Sequence, residues 1–368
     1  MILYGKKNEN NLHFLPPLKN RLTIIKFAFA AIIIATQLAC KKKKDIISPS
    51  APGTTPVSFT TPAGWPAIKY NLDSNKLTQQ GIDLGRKLFY DGRLSKDGQF
   101  PCASCHQSFA AMATFDHSLS HGFNNQFTTR NAPSLANLAW QNSFHWDGGI
   151  NHLDAQPLTH ITAPNEMAET LDNVLNKIKA DTKYPAMFKA AFGDATINTQ
   201  RMAKALSQFM LTMVSANSKY DKVKRGEAIF NVPEQLGYDI FKTKCATCHT
   251  EPLFTDYKFR NNGLGLDANN KDFGRMRITN NRADSLKFKV PSLRNVNVTF
   301  PYMHDGRLYS LYDVLDHYSN NVINGPTTDP LVKNKIPLSN FEKGQLVAFM
   351  MSLTDTAFSK DIRFTNPN

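Results

Sequence analysis

Cysteine is scarce in this 368-residue chain. Five are present: two close pairs, Cys102 with Cys105 and Cys245 with Cys248, and Cys40 alone near the N-terminus. None is left over for a disulfide framework. Long apolar runs are missing too. The run from Phe27 to Leu38 is too short to cross roughly 30 Å of hydrocarbon as a helix, which excludes a membrane span there. Strand-like alternation is rare, which disfavours a fold built on sheets.

What is there begins with an export signal. Lys19, Arg21 and Lys26 precede the apolar run, which ends in Leu38-Ala39-Cys40. That ending resembles the lipobox of bacterial lipoproteins, in which the cysteine becomes the lipidated first residue of the mature protein. The resemblance implies a signal peptide over residues 1–39, a lipid anchor on Cys40, and a body held at a membrane in the periplasm or cell envelope. Residues 40–67 carry four consecutive lysines and then Ser, Thr, Pro and Gly, the composition of a linker. The lysines suit either contact with anionic lipid or a solvated spacer. Removing residues 1–39 takes away five basic and one acidic side chain, so the formal net charge falls from +13 to +9, and the lysine run supplies four of that. Nucleic acid is therefore not expected as a partner.

The length exceeds one ordinary core and predicts two domains of roughly 150 residues behind the leader. The body also repeats itself. Gly85-Arg-Lys-Leu-Phe89 and Gly237-Tyr-Asp-Ile-Phe241 each precede a cysteine pair. Ala132-Pro-Ser-Leu-Ala-Asn137 matches Val290-Pro-Ser-Leu-Arg-Asn295, and Trp146-Asp-Gly148 matches His304-Asp-Gly306 at the same distance from the proline. Such self-similarity implies duplicated modules. The break falls in the charged stretch Lys219 to Glu227, giving expected domains over 68–222 and 223–368. Apolar residues at helical spacing predict helices from Leu72 to Tyr90, Glu169 to Lys179, Gln200 to Met213, Gln235 to Lys242, Leu311 to Tyr318 and Asn340 to Met351. The stretches from Asp181 to Asp194, Leu264 to Arg282 and Gly325 to Pro337 are rich in Gly, Pro, Asn and Asp and read as loops. The expected fold is all-α with long loops.

Each cysteine pair is part of a C-x-x-C-H motif: Cys102, Cys105 and His106, then Cys245, Cys248 and His249. Two thiols three residues apart on a helical turn reach the two vinyl groups of one haem, and the next imidazole points at its iron. A C-x-x-C alone suits a redox dithiol or half of a zinc site, but here no second pair lacks its histidine. Two such motifs in an exported chain predict two covalently bound haem c groups in two cytochrome c-like domains. Haem propionates lower the net charge further.

With these motifs in place the chain resembles a known family, the bacterial di-haem cytochrome c peroxidases and their MauG-like relatives. The resemblance runs from Leu72 to Leu353. It is carried by Arg130-Asn-Ala-Pro133, Phe144-His-Trp-Asp-Gly148, Asn165-Glu-Met167, Pro291-Ser-Leu-Arg-Asn295 and Pro301-Tyr-Met-His-Asp-Gly306. It implies that peroxide reacts at the N-terminal haem, that of His106. Glu166 matches the family's distal glutamate and Gln156 the glutamine beside it. Without the motif, Glu166 reads as an acid at the start of the helix expected from Glu169. Trp146 matches a tryptophan that carries charge between the haems, where a plain sequence reading gives a core residue. Asn131, Thr299 and Pro301 match the ligands of a calcium ion, which takes oxygen donors.

His121 lies close to where many family members place a second, removable ligand of the N-terminal iron, with His117 near enough to compete and a surface histidine as the plain alternative. At the other haem the usual axial methionine is replaced by Tyr318, the MauG-like pattern, with His317 and Met303 as alternative ligands. Methionine raises a haem potential, whereas phenolate favours higher-valent iron. Two activities are implied. One is reduction of hydrogen peroxide by electrons from a small periplasmic donor, a cytochrome c or cupredoxin. The other is peroxide-driven oxidation of a protein residue or small molecule. A purely electron-carrying cytochrome sits badly with Glu166 and Gln156. Family members often pair as homodimers.

Overall fold

The structure, a computed structural model, describes residues 53–367, which belong to a single compact unit. The signal peptide of 1–39, Cys40 and the linker up to residue 52 lie outside the described residues. Among the described residues no helix is long and apolar enough to cross a membrane.

Nine helices of six or more residues carry the described part: α1 Gln79–Phe89, α2 Gln156–Thr162, α3 Leu171–Ala180, α4 Tyr184–Phe192, α5 Thr199–Leu211, α6 Lys219–Lys224, α7 Val232–Lys244, α8 Leu311–Asp316 and α9 Asn340–Met351. Sheet is limited to β1 Phe259–Arg260 paired antiparallel with β2 Phe288–Lys289. The helix-rich reading holds, and its details differ in several places; the expected loops Leu264 to Arg282 and Gly325 to Pro337 each hold a four-residue helix, Met276–Thr279 and Pro330–Lys333. The helix expected from Leu72 starts at Gln79, because Thr78 takes the N-cap and accepts from Gly81 N, while Leu72–Ser74 forms a separate 3-10 turn. The stretch from Asp181 to Asp194, expected as a loop, holds α4: Tyr184, Phe188 and Ala191 share its buried face, and Gly193 ends it at φ 90°. Residues 53–67, expected as linker, lie on the body. Val57 N donates to Leu77 O (3.0 Å), and Val57, Phe59 and Trp65 pack against the core.

Two hydrophobic clusters form. One gathers α1, α2, α4 and α5 around Phe89, Tyr184, Phe188 and Phe209; the other gathers α6 to α9 around Tyr220, Phe241, Phe254 and Phe349. The C-terminal tail returns to the first cluster through Phe358 and Phe364, and Arg86 Nε donates to Thr365 O at 2.9 Å.

The repeat seen in sequence is a repeat in space. α1 crosses α5 at Gly85, where an added Cβ would stand 1.9 Å from Ala205 O; α7 crosses α9 at Gly237, where it would stand 1.9 Å from Gln345 O. Asn137 (φ 63°) and Asn295 (φ 61°) make the same left-handed step before matching 3-10 turns. The pairings Phe144 with Ile150 and Tyr302 with Leu308 close the same small hairpin. The two repeats also hold each other reciprocally. Asn131 N donates to His304 O (2.9 Å), and at the matching positions Lys289 N donates to Trp146 O (2.7 Å). These paired bonds define a local pseudo-two-fold relation between the repeats.

Candidate functional site

Each C-x-x-C-H motif follows the crossing helix of its repeat. In the first, a 3-10 turn Cys102–Ser104 brings His106 N to Cys102 O at 3.1 Å; in the second, α7 ends at Lys244 and His249 N reaches Cys245 O at 3.0 Å. Both histidines are oriented alike. His106 Nδ1 lies 2.9 Å from Met112 O, and His249 Nδ1 lies 3.1 Å from Phe254 O. A carbonyl only accepts, so Nδ1 carries the hydrogen and Nε2 keeps the lone pair an iron requires. Burial holds the His106 imidazole down at about 4 and lowers that of His249, so both are neutral at physiological pH. Burial, with the partner cysteine adding to it, pushes the Cys102 and Cys245 thiols up to about 12. They are inert thiols, unlike the low-pKa cysteines of redox dithiols.

Beside the first motif stands a polar group of three. Gln156 and His160 are one turn apart on α2, and Gln156 Nε2 meets His160 Nε2 at 2.8 Å. His160 Nδ1 meets Glu166 Oε2 at 2.5 Å. Glu166 lies in a turn before α3, which starts at Leu171 with Thr170 as its cap, so it is not a helix N-terminal acid. Burial raises the Glu166 carboxyl, but the hydrogen bond from His160 and the electrostatic pull of the neighbouring imidazoles outweigh it and hold it below the ordinary carboxylate range. Glu166 is, through its charge, among the influences on the His106 imidazole and the Cys105 thiol. Its backbone is clasped by the His121 loop. Phe123 N donates to Glu166 O (2.7 Å), and a Cβ on Gly122 would stand 2.3 Å from Asn165 O. His121 itself is exposed, its ring 4.5 Å from that of Phe127 and 5.6 Å from that of His117.

A cavity of about 310 Å³ opens at the second motif and reaches between the repeats; Cys245, Cys248, His249, Trp146, Met303 and Tyr318 line it. Tyr318 is carried by a π-helical turn, His317–Asn321, that continues α8. Such turns shift side chains out of α-helical register and recur at functional sites. Burial pushes its phenol up to about 12. Of the alternative ligands, His317 is committed through Nε2 to Asn262 O (3.0 Å), and Met303 Sδ accepts from Asn262 Nδ2 (3.3 Å). Trp146 Nε1 donates to Asn131 O at 2.9 Å. Asn131, Thr299 and Pro301 line the same cavity. Asn131 Nδ2 donates to Ser118 O (3.1 Å), which leaves Oδ1 as the amide atom available to a cation.

The cavity also suits a dianionic cofactor. Arg260 Nε is buried without an acceptor although its guanidinium binds Asp256 and Asp329. Lys289 Nζ meets only neutral oxygens, Gln141 Oε1 at 2.7 Å and Ser143 O at 2.6 Å, and burial pulls it down to about 7. Both line the cavity, and a haem brings two propionates to such donors. The sequence reading missed His160, His145, Arg260 and Lys289. His145 stands inside the motif Phe144-His-Trp-Asp-Gly148, and His160 lies four residues after Gln156 behind a helix-starting Pro157; Arg260 and Lys289 left no signal.

A fold of helices with two such histidine-oriented thioether sites is that of a multi-haem cytochrome. The family model for di-haem cytochrome c peroxidase matches residues 79–229. Methylamine utilization protein MauG of Methylorubrum extorquens is 36% identical over 76% of this chain and 80% of its own length. Cytochrome c551 peroxidase of Nitrosomonas europaea is 32% identical over 74% of this chain and 79% of its own. Among solved structures, a MauG-like protein associated with microbial copper homeostasis matches with a TM-score of 0.75 and 30% identity, covering 84% of this chain and 99% of that one. The chain belongs to the di-haem cytochrome c peroxidase family, which includes MauG, and the family carries two haem c groups.

Proposed function

We propose that this protein reduces hydrogen peroxide to water at the site of Cys102, Cys105 and His106, using electrons from a small cytochrome c or cupredoxin delivered by way of the site of Cys245, Cys248 and His249. The observation that carries this reading is the ionised Glu166 held beside the first motif with Gln156. Bound haem iron supplies the redox chemistry, and each peroxide takes two electrons and two protons and leaves as two waters. Glu166 receives the proton of the inner peroxide oxygen and returns it to the outer one, and Gln156 orients the substrate. In this reading His121, an exposed residue, leaves the first site free for peroxide. Trp146 serves as the relay between the sites, and Asn131, Thr299 and Pro301 hold a calcium ion that stiffens the region between them. Domains over 68–222 and 223–368, a lipid anchor on Cys40 and pairing into homodimers complete the reading.

Tyr318 supports a second activity. With haem bound at the second site, Tyr318 would offer it an oxygen ligand, which would favour oxidation of a protein residue or small molecule, as in MauG-like enzymes. Glu166→Gln separates both activities from electron carriage. Peroxide turnover is expected to fall by about 100-fold or more with both haem spectra intact. Unchanged turnover would remove Glu166 from the reaction and the reading with it.

A further inference from the structure

Glu166 does not act alone in this geometry. His160 bridges it to Gln156, with Nδ1 on Glu166 Oε2 and Nε2 on the Gln156 amide. We propose that Glu166, His160 and Gln156 form one proton-holding unit in which His160 keeps the resting Glu166 ionised and shares the proton that Glu166 receives; this rests on the peroxide reading of the first site.

The donor and acceptor count fixes the resting state. An amide nitrogen only donates, so His160 Nε2 accepts from Gln156 and the imidazole hydrogen sits on Nδ1. Nδ1 then donates to Glu166, which is the anion, and His160 is neutral. Half a turn of the Gln156 amide would present Oε1 instead, an acceptor for a protonated Nε2. The same three side chains therefore hold one proton more with no backbone movement. The proton leaves the inner oxygen of H₂O₂ for the unit and returns from it to the outer oxygen, and no electron moves within the unit.

The frame is fixed by local chain geometry. Gln156 and His160 share one face of α2, and the following turn is closed by Glu166 N on Ala163 O (3.0 Å) and Ala168 N on Ala163 O (3.0 Å). The side chains of His160 and Glu166 are 35% and 25% exposed, so the unit exchanges protons with solvent. The other titratable groups facing Glu166 are His145, His106 and Cys105. The His145 ring lies 5.0 Å from that of His160, and its Nε2 is 3.2 Å from Thr159 Oγ1. Thr159 already donates to Gln156 O (2.7 Å), so His145 is the donor to it and does not compete for Glu166.

The test compares holoprotein variants His160→Leu, His160→Gln and Glu166→Gln by the pH profile of peroxide turnover and by the rate of cyanide binding to the ferric protein. Leu removes the hydrogen bond and leaves the burial of Glu166, so its acid limb should move up by about one pH unit and turnover at pH 7 should fall by about tenfold. Gln keeps an N–H on Glu166, so its limb should stay near that of the unsubstituted protein. Its turnover should remain low, because an amide cannot take the second proton. Cyanide binding should slow in both, since HCN must also give up a proton. Full turnover and cyanide binding in His160→Gln, with Glu166→Gln impaired, would overturn the unit and leave the peroxide reading standing. Full turnover in Glu166→Gln would overturn both. If His160→Leu does not load haem, His160→Gln decides.

Discussion

Lys289 brings a positive charge into the cavity and finds only neutral oxygens there, those of Gln141 and Ser143. Asp147, the acid that favours its charge from further off, is bound by Arg130 at 2.7 Å. A cation in such surroundings awaits an anion, and a haem propionate has the right charge. Positive charge near a haem favours the reduced iron, so Lys289→Met should lower the midpoint potential of the second haem, on the order of tens of millivolts. Spectroelectrochemical titration reads this directly, and a midpoint unmoved by the substitution would place Lys289 away from the cofactor. At this scale the sequence was read unevenly. Cys102, His106, Cys245, His249 and Tyr318 were legible because spacing or motif marks them. Lys289 and Arg260 were not, and His160 was marked only by its distance from Gln156, because a lysine in a two-residue strand, or a histidine on a short helix, acquires its meaning only from what folding places against it.

At the scale of elements, the crossings of α1 with α5 and of α7 with α9 are the joints on which both cysteine pairs hang. Gly237 permits the second, since an added Cβ would stand 1.9 Å from Gln345 O and 2.6 Å from its carbonyl carbon. Backbone cannot yield as a side-chain tip can, so Gly237→Ala should cost about 3 kcal/mol or more and separate α7 from α9. Gly325→Ala, whose Cβ would meet nothing closer than 3.8 Å, is the matched control. Thermal unfolding followed by circular dichroism compares them, and equal stability would contradict the tight crossing. The glycines were visible in sequence as part of a repeat, but not as crossing points. α4 was hidden by its company of Lys, Asp, Pro and Gly, although Tyr184, Phe188 and Ala191 bury one face. The π-helical turn of Tyr318 leaves no periodic mark, because one widened turn is too short to change a pattern.

Across the whole molecule, the repeat legible in three sequence segments becomes a reciprocal arrangement. Asn131 holds His304 as Lys289 holds Trp146, and the two haem histidines are oriented by the same kind of bond. Similarity ends at the positions that face the cofactors. One site meets Glu166, His160 and Gln156; the other meets Tyr318 on its π-helical turn. In the proposed reading the duplicated motifs are two equal haem sockets, and the residues that differ around them divide the work. The most direct test is EPR of the ferric holoprotein before and after one equivalent of hydrogen peroxide. Two ferric signals of equal intensity and different spin state should be present, with the high-spin one, which the proposed reading assigns to the His106 site, lost on addition. A single kind of signal, or two signals that both survive peroxide, would contradict the account.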